Sequence, residues 1–202
     1  MGNIQELIPH QQTGAESNTE EIRVLTDENE SKKLFEKARQ RLLNVNGWQQ
    51  LCGPGSALFQ LTDASGKEVD RAAQPSDHFK IDIPGPGPVT GEGYDWVKIE
   101  QIEEQHEPQS NSDCILMRVR PATNPHGGAD DVAHFFSDDA TSNFMVRREG
   151  NKVIAAVYGR NELPNTKAES AVDKARNAMV AMSAIAGVSK LQWKSLVKGL
   201  IS

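Results

Sequence analysis

The stretch TSNFMVRREGNKVIAAVYGR, residues 141–160, decides the fold. It contains two runs rich in apolar and β-branched residues, joined by a short loop at Gly150. Glycine readily adopts the positive φ angle that a tight loop requires, so two such runs around it are typical of an antiparallel hairpin. The sequence therefore predicts paired strands at Thr141–Arg148 and Lys152–Arg160.

Four more runs of the same kind precede the hairpin. Clusters of Asp, Ser, Gly and Pro separate them, and short alternating runs between turn residues indicate a mostly antiparallel sheet. The additional predicted strands are Ala57–Thr62, Phe79–Ile83, Trp96–Ile102 and Cys114–Arg120. With the hairpin they form a sheet of about six strands over residues 56–162.

Helical patterns flank the sheet on both sides. In residues 30–51, apolar residues recur every three or four positions opposite lysines and arginines, and Asn29 or Ser31 is suited to cap the helix. Residues 166–201 predict one or two C-terminal helices that begin at a capping box starting with Thr166. The first of these carries a narrow apolar stripe of Val172, Ala175, Met179, Met182 and Ala186. We expect this stripe to face the core.

Helices set apart from an antiparallel sheet define the α+β class. We therefore predict an α+β fold with a curved, mostly antiparallel sheet of about six strands, an N-terminal helix and one or two C-terminal helices. This element order resembles the helix-grip arrangement of START-like lipid-binding and cyclase domains. In those domains a long C-terminal helix covers a curved sheet and leaves a cavity. The resemblance is one of layout, and a fold does not fix a function.

The first residues differ in composition from the rest. Residues 1–30 carry seven acids and one base, which equals the whole net charge of −6. Sizeable apolar groups are few there and follow no sustained period, so we predict an acidic disordered tail or tether over residues 1–29. Residues 30–202 then form a single α+β domain. A short edge strand containing Ile22, Val24 and Leu25 is the alternative for the end of the tail.

Charge and cysteine content exclude several classes of function. The remaining 172 residues have equal numbers of acids and bases, so no positive field favours nucleic acid as a partner. Cys52 and Cys114 stand apart without a CxxC or Cys/His companion, so we expect no disulfide. His126, Asp130, Asp131 and His134 are residue types that bind zinc or iron, but their spacing matches no common metal pattern, so we expect no metal site. No leader or bilayer-length apolar stretch is present, and we expect a cytoplasmic protein.

Catalytic and cofactor motifs are missing from the sequence, and we expect no cofactor. The weak candidates for ligand or partner contact are a stiff Pro-Gly loop, three polar residues and two tryptophans. They are Pro84, Gly85, Pro86, Gly87, His78, Asp82, His134, Trp96 and Trp193.

Three functions remain open. The first is a non-catalytic binding module for a small apolar ligand or a protein partner, and this is the interpretation that we favour. The second is an enzyme of unrecognised type whose pocket collects His78, Asp82, His126 and His134. The third is peripheral membrane association through the C-terminal helix, which combines three lysines with Trp193.

Overall fold

The structure is a computed structural model. It describes residue 6 and residues 8–83, 88–127, 132–167, 171–185 and 188–202. The strands are β1 (Ala15–Val24), β2 (Leu58–Thr62), β3 (His78–Asp82), β4 (Asp95–Glu107), β5 (Ser112–Pro121), β6 (Thr141–Glu149) and β7 (Lys152–Glu162). The helices are α1 (Glu28–Leu43), α2 (Trp48–Cys52), α3 (Ala171–Ile185) and α4 (Val188–Leu200), with a 3-10 turn at Val45–Gly47. The predicted α+β class is confirmed.

The strands form one antiparallel sheet in the order β1-β7-β6-β5-β4-β3-β2. From β2 to β7 each strand pairs with the next along the chain, as the short turn-rich connections predict. The β6–β7 hairpin has the expected register, with Glu149 opposite Lys152 and Gly150 at a φ of 56°. All six predicted strands are present, and the sheet gains a seventh.

The seventh strand, β1, comes from the segment predicted to be a disordered tail. Residues 15–24 pair with β7 from Ala15↔Glu162 to Val24↔Lys152, so the prediction of disorder is wrong for them. The backbone ladder holds this strand more than its apolar side chains do, since Ile22 and Val24 remain 55% and 60% exposed. The ordered chain therefore begins well before residue 30.

The cap of α1 also differs from the prediction. Asp27, rather than Asn29 or Ser31, caps the helix, and its carboxylate accepts hydrogen bonds from the backbone N–H groups of Asn29 and Glu30. Ser31 is instead buried, and its hydroxyl donates to the carbonyl of Gly150 at 2.7 Å. This bond ties the first turn of α1 to the β6–β7 hairpin.

The main core lies between the inner face of the sheet and helices α1, α2 and α4. Its centre is Trp48, which contacts Phe59, Phe79 and Phe144 through its ring. A smaller apolar cluster lies on the outer face of β5, β6 and β7, with Ile8 packed against it. It consists of Cys114, Leu116, Met145, Ala156 and Tyr158. Cys52 and Cys114 are free thiols.

The first two residues of the apolar stripe of helix α3 do not face the core. Val172 is 68% exposed and Ala175 is exposed, whereas Asp173, Arg176 and Asn177 are buried. The polar face turns inward because each of these side chains has a partner there. Asn177 donates to the carbonyl of Asn165 at 3.2 Å, and the partners of Asp173 and Arg176 are described below. The side chains of Met179 and Met182, together with Glu169 of the capping box and Ala186, lie outside the described part of the structure.

Candidate functional site

A cavity of about 120 Å³ lies between the inner face of the sheet and the two C-terminal helices. Strands β3, β4, β5 and β6 supply one wall, because alternate side chains of a strand point to the same face. Most of its lining is apolar. The main apolar contributors are Phe79, Ile81, Val97, Val119, Phe144 and Trp193.

Trp193 closes the cavity from α4. Its ring centroid lies 5.3 Å from that of Phe144 and 6.3 Å from that of Phe59. The next residues of the same helix face, Leu196, Val197 and Leu200, are fully buried in the core. The helix face offered for membrane association therefore packs inside the protein, which argues against that alternative. No helix in the described ranges is long and apolar enough to cross a membrane.

His134 brings a polar group to the cavity wall. Its ring stacks on Phe135 with centroids 4.2 Å apart, and its Nδ1 accepts a hydrogen bond from the backbone N–H of Phe136 at 2.9 Å. Burial lowers the pKa of the imidazole to about 4, so the ring is neutral at pH 7. With Nδ1 accepting, the proton of the neutral ring resides on Nε2. Within the described residues Nε2 has no hydrogen-bond partner, so it is a free donor.

Stability is expected to fall as the pH is lowered from about 6.5 to 4, because of His134. The folded-state pKa of about 4 is below the usual 6.5, so the unfolded chain binds more protons across this window. The free energy of unfolding is therefore about 3 kcal/mol higher above pH 6.5 than below pH 4, by conversion of the His134 pKa shift to free energy. Urea unfolding of the His134→Asn variant between pH 4 and 7 tests this, since asparagine can still accept from Phe136 N–H.

A matched control is His10→Asn, which removes an exposed imidazole. It should leave the pH dependence of the free energy of unfolding as in the parent protein. If His134→Asn and the parent protein lose stability in parallel between pH 6.5 and 4, His134 is not the neutral buried group described here.

Glu162 is the second polar group at the cavity, and sequence reasoning missed it. It follows Asn161, whose φ of 56° lies in the left-handed region, and the β1–β7 register shifts between Ser17 and Ala15 at this point. Such a bulge redirects the side chains next to it. Glu162 lines the cavity with only 8% of its surface exposed. An Asn-Glu pair at the end of a strand is the only signal in the sequence, and it is a weak one.

Two further polar residues complete the lining. Ser142 of β6 stands opposite Gly159 in the β6–β7 ladder. Gln192 of α4 accepts a hydrogen bond from the backbone N–H of Ala57 through its Oε1 at 3.3 Å. Its amide nitrogen has no hydrogen-bond partner in the described part of the chain. The cavity therefore combines apolar walls with a few polar atoms that are free to bond a ligand.

The other predicted polar residues lie elsewhere. Phe79 and Ile81 line the cavity, so His78 and Asp82, which alternate with them on β3, face the opposite side of the sheet. His78 is half-buried, and its burial lowers the pKa of the ring. His78 and Asp82 therefore share one face of the sheet, and it is the outer one.

His126 and Trp96 have structural roles. The Nε2 of His126 lies 2.8 Å from the carbonyl oxygen of Gly66, and its ring meets Trp96 edge-on at 6.1 Å. The indole N–H of Trp96 donates to the carbonyl of Gly91 at 3.2 Å. The enzyme pocket shared by His78, Asp82, His126 and His134 is therefore not formed, since only His134 reaches the cavity.

Two predicted features need separate mention. Pro84, Gly85, Pro86 and Gly87 lie outside the described residues. Within the described ranges, no three His, Cys, Asp or Glu side chains stand close enough together to hold a metal ion.

The end of α3 nearest the cavity is anchored by buried polar contacts. Arg176 pairs with Asp95 through both carboxylate oxygens, at 3.2 and 2.5 Å, and Asp95 also accepts from the backbone N–H of Phe135 at 3.0 Å. Asp173 accepts from the backbone N–H of Val89 at 2.8 Å. These bonds fix the helix that carries Val180 into the cavity wall.

Comparison with known proteins supports the fold. No family model and no curated protein matches the chain. A hypothetical protein, jhp0584 from Helicobacter pylori, is similar in structure with a TM-score of 0.50 and 13% identity, covering 98% of this chain and 91% of that one. At this identity the similarity shows a shared α+β fold alone.

Weaker structural similarities also exist. Truncated norcoclaurine synthase from Thalictrum flavum has a TM-score of 0.41 and 6% identity, over 96% of this chain and 98% of that one. Ara h 8.0201 has a TM-score of 0.36 and 11% identity, over 92% and 98%. At TM-scores below 0.5, both are too distant to support an assignment.

Proposed function

We propose that this protein binds a small apolar molecule in the cavity between the sheet and helices α3 and α4. The observation that carries the proposal is a cavity of about 120 Å³ with apolar walls and a few free polar atoms. Ligand sites in proteins combine these two features, because apolar surface supplies affinity and a few polar groups fix orientation. An apolar cavity of about 150 Å³ accommodates benzene, so a single ring matches this size.

The walls are held so that the cavity does not collapse. Trp193 is fixed by its contacts with Phe144 and Phe59, and α3 is fixed by the Asp95–Arg176 pair. A cavity with rigid walls needs little rearrangement to accept a ligand, which favours binding. We therefore expect the protein to bind single-ring compounds without a large change in its backbone.

The Val180→Phe variant tests the site. Val180 is half-buried in the cavity wall on α3, so the larger side chain can fill the cavity from the helix side. Toluene is the probe, and binding is followed through NMR chemical shifts of the valine and isoleucine methyl groups. The parent protein should bind toluene saturably with shifts at Val97, Val119 and Ile81, and Val180→Phe should weaken binding at least about tenfold.

The matched control is Val172→Phe. This substitution is the same and lies on the same helix, but Val172 is exposed and does not line the cavity. It should bind toluene as the parent protein does. Saturation without any shift at the cavity methyls, or no saturable binding at all, would show that the cavity is not a ligand site.

A further inference from the structure

We infer that Glu162 makes the cavity selective for a single-ring compound that carries an amine, with the ring against the apolar wall and the ammonium group on the carboxylate. This inference rests on the proposed function, because it assigns the ligand class of the same site. It follows from how Glu162 is placed, from what already bonds it and from the charges around it.

The Glu162 carboxylate is held in place but only half satisfied. Its Oε1 accepts a hydrogen bond from the hydroxyl of Ser17 at 2.9 Å. It lies over Gly159, where any Cβ would overlap Oε1, so this glycine makes room for the carboxylate. Oε2 has no hydrogen-bond partner within the described residues. Oε2 keeps some accessible surface, so a ligand that donates to it can form a charge-assisted hydrogen bond there.

The charge balance of the cavity favours a cation. Burial raises the pKa of Glu162. The positive charge of Arg160, which donates hydrogen bonds to Ser17 and Asn18, acts to lower that pKa. The described residues that line the cavity include this carboxyl group and no lysine or arginine. An ammonium ligand would therefore supply the missing positive charge, whereas a carboxylate ligand would be repelled.

His134 does not reverse this preference. Its ring is neutral at pH 7 and bonded to Phe136 N–H through Nδ1, so it contributes a hydrogen-bond donor and no charge. The donor at Nε2 and the free amide of Gln192 suit a ligand that has an acceptor as well, such as a ring hydroxyl. The carboxylate of Glu162 is the group that distinguishes a cation from an anion.

Three probes of nearly equal shape separate these effects at pH 7: toluene, benzylamine and benzoate. Each has one six-membered aromatic ring, and they differ in carrying no charge, a positive charge or a negative charge. Benzylamine should bind at least about tenfold more tightly than toluene, because one charge-assisted hydrogen bond is gained in a site away from water. Benzoate should bind at least about tenfold more weakly than toluene.

The Glu162→Gln variant tests which residue causes the ranking. Glutamine has nearly the same shape and can still accept from Ser17, so the affinity for benzylamine relative to toluene, measured in the same variant, reports the loss of the charge. The preference for benzylamine over toluene should disappear, and benzoate should bind better than before. Asp82→Asn is the control, since it removes one carboxylate from the outer face of the sheet and should leave the ranking unchanged.

The outcomes distinguish the two proposals. If toluene does not bind at the cavity, the proposed function itself fails. If toluene binds but benzylamine has no advantage, or benzoate binds more tightly, the cavity is a ligand site and the amine inference is overturned. Full retention of the benzylamine advantage in Glu162→Gln would also overturn it, because the cation would then be held elsewhere. The ranking in the parent protein is informative even if the variant folds poorly.

Discussion

Replacing Trp48 by alanine is expected to lower the free energy of unfolding by about 4 kcal/mol, the typical cost of removing a fully buried tryptophan. The side chain is 0% exposed, and its ring touches Phe59, Phe79 and Phe144 with centroids 4.7 to 5.7 Å away. Its indole N–H donates to the carbonyls of Arg41 and Leu42, both at 3.2 Å. The substitution therefore leaves a cavity at the centre of the core.

Urea unfolding followed by circular dichroism measures the loss. Trp48→Phe should cost less than Trp48→Ala, because a phenyl ring retains part of the contact with Phe144 although it lacks the indole donor. Gln50→Ala, an exposed position on the same helix, should change the free energy by less than about 0.5 kcal/mol. A Trp48→Ala variant that unfolds at the same urea concentration as Gln50→Ala would show that Trp48 does not anchor the core.

Much of the fold is predictable because its strands alternate. In β3 the apolar Phe79 and Ile81 face inward between His78 and Asp82, and turn residues mark where the strands end. Pattern and burial agree here, so the predicted bounds differ from the observed ones by few residues. The predicted and observed lengths differ most for β4, which runs to Glu107 although its second half is mainly polar and is half-buried or exposed.

Two elements differ from the favoured prediction because their stability does not come from an apolar pattern. Strand β1 carries glutamates and exposed apolar residues, and it forms because β7 offers a row of unpaired backbone groups. Helix α3 buries Asp173, Arg176 and Asn177, while Val172 and Ala175 of its apolar stripe are exposed. A sequence shows that these residues are polar, but it does not show that each one has a partner from a distant segment.

The candidate site was predictable only in part, for the same reason. His134 and Trp193 are found by their residue type, and both line the cavity. Glu162 reaches it through the left-handed turn at Asn161, and no periodic pattern encodes that turn. His78, Asp82 and His126 are residue types that are equally common in binding sites. The alternation of side chains along β3 places His78 and Asp82 outside the cavity, and the bond to the Gly66 carbonyl holds His126 away from it. Proximity in the fold, which the sequence leaves open, decides among them.

The second large effect is expected at the buried ion pair that holds α3. Arg176→Met should lower the free energy of unfolding by about 3 kcal/mol, because Asp95 then stays buried with its charge uncompensated. Within the described residues, the backbone N–H of Phe135 is then the remaining hydrogen-bond donor to the Asp95 carboxylate. Hydrogen exchange of the α3 amides should accelerate more than that of β5 and β6, since the pair joins α3 to the sheet.

A double variant distinguishes the stabilisation that the Asp95–Arg176 pair provides from the destabilisation that follows when one charge is left buried alone. Asp95→Asn combined with Arg176→Met removes both charges while asparagine still accepts from Phe135 N–H, so much of the lost stability should return. Lys174→Met is the control, because it removes an exposed charge from the same helix. If Arg176→Met behaves like Lys174→Met, the pair does not hold α3. If the Arg176→Met substitution detaches α3 from the sheet, toluene binding should weaken as well, because Val180 leaves the cavity wall with the helix.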